Sequence, residues 1–185
     1  MANFATRHDG VSLAVDDGLR GRAPDGSTFV ARLPFDTSYA GPPEAAACAA
    51  AAEAPPVWGV LLVRKGGFAV ARLSGADLAE HKIGQRHVQG RTKAGGQSQQ
   101  RFARRRDNQA RVAYQAAAEH AARILRSGPV VTGGDRAAVD EVLTDPRLRR
   151  LTVVEPWLDV PDPRRQVLDR AIADAQAIRV DVTNA

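Results

Sequence analysis

Between residues 99 and 126 the chain contains neither glycine nor proline. Phe102, Ala110, Ala113, Ala117, Ala121, Ile124 and Leu125 recur there at three- and four-residue steps, which predicts one long amphipathic helix. Strand signals precede it. Val57-Trp58-Gly59-Val60-Leu61-Leu62-Val63 is an unbroken apolar run of strand length, as expected of a central strand buried on both faces. Arg64-Lys65-Gly66-Gly67 turns the chain into Phe68-Ala69-Val70-Ala71-Arg72-Leu73. Ser74-Gly75-Ala76-Asp77 turns it again into a third strand over residues 78–88, and a polar loop spans residues 89–98. After the long helix the pattern alternates: strand 129–132, helix 136–143, strand 151–154, helix 163–177 and a last strand, 178–182. Three hairpin-linked strands followed by such alternation predict an α/β fold, a mixed sheet flanked by helices in a ribonuclease H-like layout.

Residues 1–40 read differently. Val11-Ser12-Leu13-Ala14-Val15 alternates, Asp16-Asp17-Gly18 and Pro24-Asp25-Gly26 are turns, and Thr28-Phe29-Val30-Ala31-Arg32-Leu33 follows, so a small β-rich appendage is expected. Residues 41–56, alanine-rich between Gly41-Pro42-Pro43 and Pro55-Pro56, form a linker or a short helix. Cys48 within it reads as a small buried residue. Residues 57–185 are then the main domain. A chain of 185 residues suffices for one domain with such an appendage. No run approaches the roughly 18 apolar residues of a membrane span, and the N-terminus lacks the apolar region of a secretory signal. The lone cysteine forms no internal disulfide, in keeping with a reducing cytoplasm.

The net charge of +5 is concentrated. Lys82, Arg86, Arg91, Lys93, Arg101, Arg104, Arg105 and Arg106 fall in a window without Asp or Glu, and the remainder of the chain is close to neutral. An arginine-dominated field suits phosphate, because the guanidinium fork matches its oxygens. A solvated basic helix face would carry the same charges, so the run alone does not decide.

Its centre does more. Gly95-Gly96 lets the backbone take unusual conformations and lets a ligand approach closely. A helix N-terminus directly after it offers unpaired N–H groups and positive potential. The arginines Arg101, Arg104, Arg105 and Arg106 in the first turns oppose the helix dipole, a conflict that an anionic partner removes.

Gly95-Gly96-Gln97-Ser98, then Arg101-Phe102-Ala103-Arg104, then a long helix, closely resembles the middle domain of the eukaryotic and archaeal class I peptide-chain release factors. The resemblance is strongest over residues 82–125, weaker toward the C-terminus, and has no counterpart in residues 1–55. Within that superfamily the chain looks most like the actinobacterial Vms-like release factor family, peptidyl-tRNA hydrolases linked to ribosome quality control. Val88-Gln89-Gly90-Arg91-Thr92-Lys93-Ala94-Gly95-Gly96 and Ser98-Gln99-Gln100-Arg101-Phe102-Ala103-Arg104-Arg105-Arg106 carry that match. The family is described by a Gly-x-x-Gln pattern, here Gly96-Gln97-Ser98-Gln99, which points to Gln99; the conventional release-factor pattern points to Gln97. The sequence satisfies both.

The resemblance implies a codon-independent hydrolase acting on peptidyl-tRNA, with Gly95, Gly96 and Gln97 or Gln99 as the catalytic loop. Arg86, Arg91, Lys93, Arg101, Arg104, Arg105 and Arg106 would grip RNA. Glutamine does not titrate, so it positions water and stabilises charge through hydrogen bonds rather than acting as a general base. Backbone N–H groups at the turn would share that task. The large ribosomal subunit and its rRNA are the implied partners; no cofactor, metal or membrane is called for, and a monomer is favoured. Only about fifty residues precede the main sheet, so codon reading is not expected. Two rivals stand beside this reading: a non-catalytic ribosome- or RNA-binding module, and a nuclease acting near the tRNA 3′ end. A two-metal nuclease fits poorly, because residues 57–64 lack a carboxylate. His8, His81, His87 and His120 show no metal-ligand spacing. Asp135 reads as a helix N-cap, Asp159 and Asp162 as turn residues, Trp58 as core and Trp157 as a partly buried anchor. Residues 89–97 are expected to be mobile in the isolated protein, since their intended surroundings are RNA.

Overall fold

The computed structural model describes residues 1–85 and 97–185, residues 2 and 97–109 by backbone alone. In chain order the elements are α1 (Ala2–Arg7), β1 (Ser12–Val15), β2 (Leu19–Arg22), β3 (Thr28–Arg32), α2 (Ala45–Ala50), β4 (Val57–Arg64), β5 (Gly67–Ser74), β6 (Asp77–Gln85), α3 (Gln97–Ile124), β7 (Gly128–Gly134), α4 (Arg136–Leu143), a 3-10 turn (Pro146–Leu148), β8 (Leu151–Leu158), α5 (Arg165–Ala175) and β9 (Arg179–Thr183). They fall into two compact units, one of Met1–Ala54 with Ala175–Ala185, the other of Pro55–Asp174.

The larger unit holds a five-stranded sheet in the order β6-β5-β4-β7-β8. β4, β5 and β6 are consecutive antiparallel neighbours, whereas β7 and β8 add in parallel to the other side of β4. This is the mixed, ribonuclease H-like sheet that the sequence predicts. β4 is central, and Trp58 through Val63 are buried, as a continuous apolar run requires.

Alternation along the strands assigns the two faces. Leu61, Val63, Phe68, Val70 and Val130 form one core with Tyr114, Ala117, Ala118, Ala121, Ile124 and Leu125 of α3 and Ala138, Val139 and Val142 of α4. The alanines of α3 let the helix axis lie close to the strands. Asp135 caps α4, its Oδ1 accepting from the Ala137 N–H at 3.1 Å. The opposite face presents Trp58, Val60, Leu62, Ala69, Ala71 and Leu73, all buried. His81, paired with Ala71, points to that face, and the Arg165 guanidinium lies 3.3 Å from its Nε2. α5 reaches that side through this contact, and its Leu168 and Ala171 are fully buried at helical spacing. Burial of each large apolar side chain stabilises the unit by about 1.5–3 kcal/mol.

The smaller unit is a four-stranded sheet in the order β1-β2-β3-β9, antiparallel throughout. Phe4 of α1, Leu19, Phe29, Ala31, Leu33, Tyr39 and Cys48 form its core. Cys48 is buried, and α2 around it is the short helix of the alanine-rich segment.

One expectation is corrected. The last strand, read as part of the main domain 57–185, is β9, and it pairs residue for residue with β3 in the smaller unit. Ile178 packs against the smaller core, and Arg32 Nη1 donates to Asp181 Oδ2 at 2.8 Å. Successive strands tend to be neighbours, but Pro156 within β8 brings no N–H to a ladder. β3 offers β9 five consecutive partners. β8 also runs four residues beyond its expected end, to Leu158.

Candidate functional site

The basic glycine loop joins β6 to α3, and the structure describes the strand that leads into it and the packed part of the helix that follows. On the β6 side, Glu80, Lys82 and Gly84 share the face that α3 covers, being cross-strand partners of Arg72, Val70 and Phe68. Gly84 has no side chain to oppose Phe68: a Cβ there would stand 2.3 Å from Phe68 Cε1. A neighbouring close approach repeats the theme, since a Cβ on Gly67 would meet the Gly84 carbonyl oxygen at 2.4 Å. Two glycines thus bring β5 and β6 together where the chain leaves the sheet.

α3 locks onto the same corner. The His120 ring stacks on Phe68 with centroids 5.6 Å apart. Burial, then the nearby positive charges of Lys82 and Arg123, push its pKa down, so the ring is held neutral. Arg123 pairs with Glu80, which also lies 3.8 Å from Arg72. The strand that launches the loop and the helix that receives it are therefore tied by a stacked pair and an ion pair, Phe68 with His120 and Glu80 with Arg123.

On the helix side, α3 begins at Gln97, two residues before the expected helix, because nothing after Gly96 interrupts helical backbone. Ala110 is the first described residue that packs against the core, ~20 Å along the axis from Gln97 at 1.5 Å per residue. Gln97, Gln99, Arg101, Arg104, Arg105 and Arg106 all belong to this first part of the helix. Gln97 and Gln99 are separated by about 200° around its axis. Arg86, Arg91, Lys93, Gly95 and Gly96 lie outside the described residues, as do His87 and the loop whose mobility the sequence suggests.

Phe68, Gly84 and His120 were not singled out as site residues from sequence. Gly84 carried a usable signal, an isolated glycine inside a strand pattern, which marks close approach of another group. Among the described residues no group of three or more His, Cys, Asp or Glu is arranged to hold a metal ion. Nor is any described helix long and apolar enough to cross a membrane.

The model of the Actinobacteria/chloroflexi VLRF1 release factor family matches residues 56–181. The chain belongs to this family. The VLRF1 match begins beside β4, spans the sheet, the loop and α3, and reaches into β9. No curated protein matches. A solved structure described as the Vms1 mitochondrial localization core aligns with 96% of this chain and 79% of its own length, at 12% identity and a TM-score of 0.42. Membership places the chain among VLRF1 release factors, and so in translation and at the ribosome.

Proposed function

We propose that this chain hydrolyses the ester linkage of peptidyl-tRNA without reading a codon, freeing nascent peptides from stalled ribosomes or large subunits. The observation that carries the reading is the family match, which runs through the Gly95-Gly96-Gln97-Ser98-Gln99 segment at the start of α3. Gly95 and Gly96 would admit the ester, and Gln97 or Gln99 would orient water and stabilise the oxyanion or the departing ribose oxygen. Neither step needs a titrating side chain on this loop. Arg86, Arg91, Lys93, Arg101, Arg104, Arg105 and Arg106 would hold RNA phosphates, and rRNA would complete the site. The described part of the chain would supply the base: the corner of Phe68, Gly84 and His120 ties the strand that leads into the loop to the packed part of α3. The work is cytoplasmic, by a monomer.

Gln97→Ala, Gln99→Ala and the double variant, assayed for peptide release from stalled large subunits, test this. Because the two positions face different sides of the helix, one single variant loses release and the other keeps most of it. The double variant loses release while still binding subunits. Undiminished release from the double variant overturns the proposal, and a shortened tRNA product would assign cleavage of the tRNA 3′ end instead.

A further inference from the structure

We infer that Arg126, Arg149 and Arg150 form a second phosphate-binding surface for RNA, at the end of the five-stranded sheet away from the catalytic loop. The strand directions set the geometry. β5 is antiparallel to both β4 and β6, and β7 and β8 are parallel to β4, so β4, β6, β7 and β8 all run the same way. Gln85, where the loop begins, closes one end of the sheet; Gly128 and Leu151, which start β7 and β8, lie at the other. α3 spans the distance, ~40 Å from Gln97 to Ile124.

At that far end two segments meet. The Gly128 N–H donates to the Arg150 carbonyl oxygen at 3.1 Å, which ties the turn carrying Arg126 to the one carrying Arg149 and Arg150. All three arginines are exposed. Their neighbours are neutralised, Arg123 by Glu80 and Arg147 by Asp145. No such ion pair engages Arg126, Arg149 or Arg150 among the described residues.

The backbone adds a second observation. Arg126 stands just past the end of α3 with φ 59°, the left-handed position where glycine or asparagine ordinarily closes a helix. A long cationic side chain is kept where the backbone disfavours any side chain. Attraction to the α3 carbonyl ends would account for Arg126. It does not account for Arg149 and Arg150, which come from the segment entering β8. Three uncompensated guanidinium groups on one rim suit the phosphates of a nucleic-acid backbone, and membership of a release factor family, which acts at the ribosome, makes RNA the partner. The inference deepens the proposed function: the loop end would engage the reacting centre, and this end would grip RNA ~40 Å away along the helix.

The test is the association of the full chain with purified large ribosomal subunits, titrated with salt. Arg126→Gln combined with Arg149→Gln and Arg150→Gln is expected to weaken binding at least tenfold. It should also flatten the slope of log K against log salt by about two to three, the loss of three phosphate contacts. A second variant separates binding from folding. Arg126→Gly relieves the left-handed arginine and is expected to raise Tm by about 2–4 °C while lowering affinity. An affinity and salt slope unchanged in the triple variant, or an affinity unchanged in Arg126→Gly, overturns the inference. Gln97→Ala and Gln99→Ala report release and do not enter this titration, so either reading can fail alone.

Discussion

The Phe68 ring fills the space into which a side chain on Gly84 would grow, with only 2.3 Å between its Cε1 and the position of a Cβ. Phe68 is itself pinned by the His120 stack, so it has little room to give way. Gly84→Ala is therefore expected to destabilise the larger unit by about 1–3 kcal/mol through overpacking. Adding Phe68→Leu should recover part of that loss. Urea denaturation of the single and double variants measures both, and an additive result would show that the two residues do not share this space.

His120 gives the same corner a pH dependence. Its pKa in the folded chain lies below the ordinary 6.5, chiefly from burial. The unfolded chain then binds the proton more tightly, so stability is full above pH 6.5 and falls as the pH drops through the depressed folded value. His120→Gln should flatten stability between about pH 7 and pH 5. Melting temperatures across that range decide.

Asp145 works at lower pH. It receives the Arg147 side chain at 2.6 Å and the Arg147 backbone N–H at 2.9 Å, and these bonds lower its pKa from 3.8 to about 2. Its contribution is complete above the unfolded value and disappears as the pH falls through about 2. Asp145→Asn keeps the backbone cap but loses the charge, and is expected to cost about 1 kcal/mol at neutral pH and little at pH 2. Denaturation curves at the two pH values check the difference.

β9 can be removed to learn what it supports. Deleting residues 179–183 strips β3 of its outer partner. Hydrogen exchange should then accelerate at the amides of β2 and β3 while those of β4 and β5 stay protected. Loss of protection in the five-stranded sheet instead would show that β9 sustains the other unit.

How much of this was legible in the sequence follows from the range of each signal. The hairpins linking β4, β5 and β6 and the stripe of α3 are local patterns, and they appear where the residues place them. Asp135 as an N-cap and Trp58 as core are equally local. β9 is not local: all five of its residues are exposed, so alternation says nothing about its sheet, and its neighbour lies far back along the chain. The corner of the candidate site was hidden for a similar reason. Gly84 and His120 converge on Phe68 only after three elements have packed, and no spacing in the sequence announces it. The motif around Gln97 and Gln99, on which the proposed chemistry rests, stands in consecutive residues and so can be read without the fold.

Arg32 meets Asp181 across a separation of 149 residues. During vectorial synthesis the whole stretch Pro55–Asp174 leaves the exit tunnel before the strand that completes the earlier-made sheet. Until then β3 keeps an open edge, a template for pairing with any passing chain. The earlier-made sheet thus matures after the later-made unit, and its exposure to misassembly lasts as long as translation of everything between.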